Sequence, residues 1–306
     1  MDTAWRVLDC SSLSGSVRAE RGAVTICPEG APPQSVPVAD VAVVLLGINV
    51  SISTAVMHRL LDSDVVVMFC DWRGVPEGAA YPWRAHTRVG ARQRAQAALS
   101  LPRQKNAWGR LVRAKILGQA HVLSKVDEPS GLRLRNMAKS VRSGDPENME
   151  GQAARLYWSR LFGAEDTFVR LQESDDPRNS CLNYGYGVLR AHGIRAVVTA
   201  GLNPTLGLFH RGRSNFFNLV DDLIEPFRPT VDDTVLRLPA DASLTDRSVK
   251  RELVRALQQS FSVEGDTLPT VLERLAQHLG QYVEGDRDRL DAPHWAGPYL
   301  GGTDGR

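Results

Sequence analysis

One short segment gathers the side chains best suited to hold a cation. LGLFHRGRSNFFNLVDDLIEPFRP, from Leu206 to Pro229, carries His210, Asp221, Asp222 and Glu225. Asp221 and Glu225 are four residues apart and Asp222 and Glu225 three apart, so on a helix either pair shares a face. Like charges at that spacing repel unless a cation lies between them. His210 precedes Glu225 by fifteen residues, about 22 Å of rise on one continuous helix and too far to share an ion. The intervening Arg211-Gly212-Arg213-Ser214-Asn215 is a turn signal. A turn there would fold the imidazole back beside the carboxylates. Pro226 sets Glu225 near a kink or a helix end. Ordinary alternatives remain: a lone histidine is usually a surface or a satisfied core residue, and an Asp-Asp pair on a helix is usually solvated.

A further carboxylate, Glu150, lies in MEGQAARLYW beside Gly151, Ala153 and Ala154. Small residues let a neighbouring helix approach closely. A carboxylate at such a crossing is costly unless paired or ligated, and Arg155 and Arg160 are its alternative partners. Cys10, Cys27, Cys70 and Cys181 form no CxxC pair and no zinc spacing. They read as reduced, small apolar residues.

The elements that must position these groups fall into two regions. A chain of 306 residues is long for one core and suggests about two domains. WRVLDC, GSVRAERGAVTIC, VADVAVVLL and VVVMFCD carry β-branched runs separated by Gly, Pro and Ser clusters, with Glu20-Arg21-Gly22 as a hairpin tip. SISTAVMHRLLD has helical spacing and Ser or Thr to cap it. RGVPEGAAYPW reads as a linker. Beyond it, helices are expected over 90–101, 103–123, 146–162, 181–192, 215–225, 246–261 and 268–283, with Asp145 and Pro146 opening the third. The expected architecture is α+β: a β-rich N-terminal domain over 1–76, a linker over 77–90, an all-helical domain over 91–284 and a loose tail over 285–306.

The composition, 42% hydrophobic and 24% charged, is that of a folded globular protein. The longest apolar run, VADVAVVLLGINV, is interrupted by Asp40, Gly47 and Asn49 and falls short of a membrane span. MDTAWRVLDC lacks a basic region followed by an apolar one, so the expected compartment is the cytoplasm. The net charge of +2 conceals an asymmetry. From Gly78 to Val126 there is no Asp or Glu, but there are Arg84, Arg88, Arg92, Arg94, Arg103, Lys105, Arg110, Arg113, Lys115 and Lys125. Such a one-signed block points to a polyanion surface; the bland reading is a solvated helical face, which usually mixes both signs.

The segment GLNPTLGLFHRGRSNFFNLVDDLIEPFRP resembles the signature of the CRISPR-associated integrase family, the first of the numbered CRISPR proteins. MEGQAARLYWSRLF resembles that family's other signature, RLVRAKILGQAHVL its basic helix, and residues 36–76 its N-terminal sheet-plus-helix region. The EPFRP ending is similar to the type II branch. The resemblance implies a metal-dependent DNA integrase and endonuclease of spacer acquisition, holding Mg²⁺ or Mn²⁺ on Glu150, His210 and Glu225. Asp221 matches a supporting acidic position, and Asp222 is expected to be a bystander. The family often has further basic residues just after the histidine; here they are Arg211 and Arg213 around Gly212.

The resemblance gives the basic block a role. Arg84, Arg88, Arg92, Arg103, Lys105, Arg110, Arg113 and Lys115, with Arg211 and Arg213, are expected to contact double-stranded DNA, both the incoming fragment and the CRISPR repeat. Trp83, Trp108, Tyr157 and Trp158 are candidates to stack on splayed bases, with helix core as the alternative for Trp108 and Trp158. The resemblance also implies a homodimer built through the N-terminal domains, and a complex with the small second CRISPR adaptation protein. Rival readings are a hydrolytic metal-dependent DNA nuclease on the same ligands and a non-catalytic DNA-binding scaffold.

Overall fold

Residues 6–72, 76–82, 87–163, 168–171 and 174–298 are described by the computed structural model. Strands dominate the first eighty: β1 (Arg6–Cys10), β2 (Gly15–Glu20), β3 (Ala23–Pro28), β4 (Gln34–Pro37), β5 (Val41–Leu46), β6 (Val50–Ile52), β7 (Val66–Cys70) and β8 (Pro76–Ala80), with helix α1 (Thr54–Asp62) before β7. They form two four-stranded sheets. One has the order β1-β5-β7-β8, parallel except for β8; the other has the order β4-β3-β2-β6, antiparallel except for β6 against β2. The β2–β3 pairing closes at Glu20 opposite Ala23, the expected hairpin tip. Ser53 caps α1 by accepting from the Val56 N–H.

β5 joins the two regions. All six of its residues are buried. Val44 and Leu46 pack with Leu8, Val17, Val24 and Leu60 in a small core inside the β region. Val43 and Leu45 belong to the larger core shared with the helices. Burial on both faces explains why this strand is an uninterrupted apolar run. Polar contacts lock the joint: the Tyr184 hydroxyl donates to Asp9 Oδ2 at 2.6 Å and Arg195 Nε donates to the Asp64 carbonyl at 3.0 Å.

The helical region comprises α2 (Val89–Ala97), α3 (Leu101–Leu123), α4 (Glu128–Ser140), α5 (Met149–Trp158), α6 (Pro177–Thr199), α7 (Asn218–Ile224), a 3₁₀ turn (Glu225–Phe227), α8 (Arg228–Arg237), α9 (Arg247–Ala256) and α10 (Leu268–Glu284). Two 23-residue helices organise it. α3 packs on α4, α5, α8 and the 3₁₀ turn, and α6 packs on α7 to α10 and on β5 and β7. Gly118 sets the approach of α3 to α8: a Cβ there would lie 2.9 Å from Pro229 Cγ. That contact brings the middle of α3 against the Glu225 turn.

Several boundaries differ from the sequence expectation. The stretch assigned to a linker from residue 77 contains most of β8, paired with β7; as an edge strand it tolerates Pro and Gly. α5 starts at Met149, not Pro146, because Asn148 adopts the left-handed conformation and caps Gly151. Asp145 still serves the helix start by accepting from the Met149 and Glu150 N–H groups at 2.8 and 3.0 Å. The tail is ordered packing as far as residue 298: Leu290 and Trp295 are fully buried, and Trp295 packs on Phe261. All four cysteines are free, and burial pushes the Cys10, Cys70 and Cys181 thiols up to about 12, 12 and 11. Among the described residues no helix is long and apolar enough to cross a membrane.

Candidate functional site

Glu150 and Glu225 are 75 positions apart in sequence and meet on one cation. Lys115 Nζ, from the middle of α3, lies 2.6 Å from Glu150 Oε1 and 2.6 Å from Glu225 Oε2. Glu150 comes from the first turn of α5, and Glu225 opens the 3₁₀ turn that Pro226 separates from α7. Arg228, one turn on, donates to Glu225 Oε1 at 2.8 Å. Burial alone would raise the Glu225 carboxyl; Arg228 and Lys115 overcome it and hold the group down at about 2. Glu225 is therefore an anion throughout the physiological range. The partner of Glu150 is Lys115, rather than the Arg155 or Arg160 that its own helix region offers.

A buried polar chain fixes these elements against one another. The Arg228 guanidinium stacks over the Tyr186 ring at 4.6 Å. The Tyr186 hydroxyl donates to Asp232 Oδ1, and the Tyr157 hydroxyl donates to Asp232 Oδ2 at 3.0 Å. Tyr157 lies two turns after Glu150 on α5, so its bond to α8 ties the Glu150 helix to the element that follows Glu225. Burial raises the Asp232 carboxyl from 3.8 to about 6, against the two phenol hydrogen bonds that lower it. A raised folded value means the native state holds its proton longer than the unfolded chain. The resulting stabilisation is complete below about pH 4 and is lost as pH rises through 6. Relative to Asp232→Asn, the wild-type unfolding free energy should fall by about 3 kcal/mol between pH 3 and pH 7, as read by urea titration at each pH.

His210 is held by a carboxylate assigned no role from the sequence. Asp222 is fully buried. It accepts from the Leu208, Phe209 and His210 N–H groups at 2.6, 3.1 and 3.2 Å, and its Oδ1 lies 2.6 Å from His210 Nδ1. Gly207 makes the wrap possible, since a Cβ there would lie 2.3 Å from the His210 carbonyl oxygen. Asn218 pins the far side, accepting from the Gly212 N–H and donating to the Thr205, Gly212 and Asn215 carbonyls. The turn that folds His210 back is thus built on side chains of α7 itself. With Nδ1 bound to Asp222, Nε2 is the outward nitrogen, the arrangement a ligating or proton-handling imidazole needs. The Asp222 bond, acting against partial burial, raises the His210 pKa; the Glu225 charge adds to that rise. Asp222 is therefore an orienting residue, not a bystander.

Asp221 faces elsewhere. Arg190 binds it in a fork, Nε to Oδ1 at 2.8 Å and the second guanidinium nitrogen to Oδ2 at 2.9 Å, and Asn215 donates to Oδ2 at 2.7 Å. With both oxygens engaged, Asp221 is not brought into the Glu150–Glu225 pair. Two carboxylates and an imidazole form a donor set that suits Mg²⁺ or Mn²⁺. The two carboxylates fit such an ion: Glu150 and Glu225 already share a cation, the Lys115 ammonium, at 2.6 Å from one oxygen of each. Among the described residues no three His, Cys, Asp or Glu side chains stand close enough to hold an ion. The oxygen pair is assembled and the imidazole stands apart from it.

The expected DNA contacts divide. Arg92 is buried, bonded to Glu284, Gln277 and the Ala200 carbonyl. Arg103 donates to the Tyr282 and Arg287 carbonyls and covers the Tyr282 ring. Lys115 belongs to the carboxylates. All three make contacts within the protein, Arg92 through Nε and Nη1, Arg103 through one terminal nitrogen and Lys115 through its ammonium. Arg88 is exposed but paired with Glu284, and Arg84 lies outside the described residues, as does Trp83. Lys105, Arg113, Arg211 and Arg213 are exposed and Arg110 is half-buried. Arg110 and Arg113 line a cleft of about 360 Å³ with Arg142, Asn106 and Ser143. Among the aromatic candidates, Trp108 and Tyr157 are buried and Trp158 is half-buried against Tyr157 and Phe168. The exposed ring beside His210 is instead Phe209, stacked on Trp108 at 4.4 Å, and Phe216 is a further exposed ring six residues on.

Residues 12–260 match the family model described as CRISPR associated protein Cas1. The chain belongs to the Cas1 family. Among its relatives is the CRISPR-associated endonuclease Cas1 of Neisseria meningitidis serogroup C (strain 8013), 35% identical over 272 residues, which are 87% of this chain and 88% of that one. The Cas1-family fold extends to solved structures of lower identity. A casposase bound to its integration product superposes with a TM-score of 0.75 at 21% identity, over 94% of this chain and 92% of that one. A chain of a Cas6-RT-Cas1–Cas2 complex gives a TM-score of 0.75 at 17% identity, over 95% of this chain and 36% of that one.

Proposed function

We propose that this Cas1-family chain is a Mg²⁺- or Mn²⁺-dependent DNA integrase of CRISPR adaptation, inserting short fragments into the CRISPR array. The observation that carries the proposal is the convergence of Glu150 and Glu225, from distant segments, on a single cation, with the Asp222-oriented His210 on the segment that leads into Glu225. A 3′-hydroxyl of the fragment attacks a phosphodiester at the repeat edge. A new P–O bond forms to the fragment, the bond to the repeat strand breaks, and a new 3′-hydroxyl leaves. Glu150, Glu225 and His210 Nε2 would hold the divalent ion, which supplies Lewis-acid polarisation of the phosphate and a lower pKa for the attacking hydroxyl. Arg228 keeps Glu225 ionised, and Asp222 fixes the ring of His210. No protein nucleophile is required.

Lys105, Arg110, Arg113, Arg211 and Arg213 carry the phosphate backbone, with Phe209 and Phe216 available to stack on unpaired bases. Each Arg→Ala change among them should weaken binding to all duplexes alike and reduce the slope of log K against log salt by about one per lost phosphate contact. Arg92→Ala should instead lower the thermal midpoint with little change in that slope. The partners proposed are a second copy of the chain, joined through the N-terminal region, and the small second adaptation protein. Support for the latter is the similarity to a chain solved in a complex containing Cas2.

A hydrolytic nuclease using the same ligands is the second reading, favoured by the word endonuclease in the Neisseria relative's name. Array growth separates them. In cells carrying an array and the small partner, the wild type should lengthen the array by a repeat-spacer unit, and Glu150→Ala should not. In vitro, fragments ending in a 3′-deoxy sugar should give no product if joining is the reaction. They should leave duplex cleavage unchanged if water is the nucleophile.

A further inference from the structure

The geometry points to Lys115 as an internal counter-ion that occupies the cation position between Glu150 and Glu225 and vacates it when a divalent ion binds. This rests on the reading of those two glutamates as cation ligands. Lys115 reaches the pair from a third element, and its Nζ is 2.6 Å from one oxygen of each carboxylate. It is thus about as close to both as a metal ion, which bonds carboxylate oxygens at about 2.0–2.2 Å. An ammonium and a divalent cation of like charge do not share that space. The ammonium donates a hydrogen bond to Glu150 and lies equally close to Glu225 Oε2.

Charge balance favours the exchange. In the present arrangement Lys115 and Arg228 neutralise Glu150 and Glu225 within a largely buried cluster. Adding a divalent ion to all four groups would leave two uncompensated positive charges there, which the interior resists. Moving the Lys115 ammonium out removes one, and a single phosphodiester anion removes the other. The metal is therefore held more tightly once Lys115 has left, and more tightly still once a phosphate has arrived. The four-carbon stem allows the move without shifting α3. The consequence is a site that stays folded without metal and takes up metal at the expense of one lysine contact.

The test is Mn²⁺ binding to the full-length protein by isothermal titration calorimetry, without DNA, for wild type, Lys115→Met, Lys115→Arg and Glu225→Gln. Lys115→Met should bind Mn²⁺ about tenfold more tightly or better than wild type, the effect of deleting a competing charge. Its thermal midpoint should fall in EDTA and rise with Mn²⁺ by more than that of wild type. Lys115→Arg, which keeps the charge, should bind no more tightly than wild type. Unchanged or weaker binding by Lys115→Met overturns the inference, since Lys115 would then stay beside the ion or merely support the carboxylates. If Glu225→Gln binds Mn²⁺ as well as wild type, it is the ligand assignment that fails. A measurement on the wild type covers the case in which Lys115→Met does not fold. Amine-directed acylation followed by peptide mass spectrometry should show Lys115 labelling several-fold faster with Mn²⁺ than with EDTA. Equal or slower labelling overturns the inference.

Discussion

Glu225→Gln should lower strand joining by about three orders of magnitude or more while leaving duplex binding within a few-fold of wild type. The amide keeps the shape of the side chain but loses the charge on which Lys115 and Arg228 converge. Loss of an outer-shell partner of a metal site typically costs ten- to a hundredfold, and loss of a ligand costs more. The cations proposed to bind duplex DNA, Lys105, Arg113, Arg211 and Arg213, lie on exposed surface and keep their places. The same substitution has a separate stability cost. Removing one member of a buried ion pair leaves its partners uncompensated, at about 3–5 kcal/mol. Arg228 loses its only carboxylate among the described residues, though Lys115 keeps Glu150, so the lower half of that range is expected. Single-turnover joining, filter binding and urea unfolding on one preparation separate the three effects. A joining defect no larger than the population unfolded would mean that Glu225 acts only through stability.

Asp222→Asn should be nearly as damaging by a different route. The carboxylate faces four donors: three consecutive backbone N–H groups and His210 Nδ1. An amide has one acceptor oxygen and turns an NH₂ group towards the remaining donors. Donors left unsatisfied in a buried site cost about 1–3 kcal/mol each in the worst case. The expected loss is about 3 kcal/mol of stability, with joining reduced ten- to a hundredfold as the ring of His210 loses its fixed orientation. The titration of His210, followed by NMR, should move to lower pH in the variant, because the Asp222 bond is the largest influence raising it. An unchanged midpoint would show that the ring is oriented by something else.

The β region was legible because its signals are local. β5 is a continuous apolar run, the β2–β3 turn is two residues long, and α1 follows a serine that caps it. The helical region was legible wherever apolar spacing was regular, as in α3 and α10. α4 was missed because Leu132 is exposed while Leu134 and Ala138 are buried, so the apolar stripe is narrow. Its start was nevertheless marked: Asp127 accepts from the Ser130 N–H one turn later, with Pro129 between. The tail read as loose because Trp295 is an isolated anchor with no period around it, and burial of a single large ring is invisible to pattern.

The same division runs through the site. His210 and Glu225 share a turn-and-helix segment, so spacing alone brought them into question. Asp222 was mislabelled although a cue was present: it falls between Leu219 and Leu223 on the buried face of α7, where a charge requires donors. Lys115 was counted with the basic block because its partners are 35 and 110 residues away, and a sequence shows that a lysine is charged without showing where the charge is spent. Arg92 and Arg103 were counted with it for the same reason. Their partners on α10 and the segment after it are nearly two hundred residues away, and only the packed helices bring them together.

The central claim is that one site, built from Glu150, His210 and Glu225, joins DNA ends. It is tested most directly by incubating the wild-type chain with its small partner, Mn²⁺, a fragment bearing free 3′-hydroxyls and a labelled repeat-containing duplex, then sequencing across the products. The expected product is a covalent junction between the fragment 3′ end and the repeat edge, absent in EDTA and absent for Glu150→Ala, His210→Ala and Glu225→Ala. Shortened repeat strands without a junction, or junctions formed equally well by those variants, would contradict it.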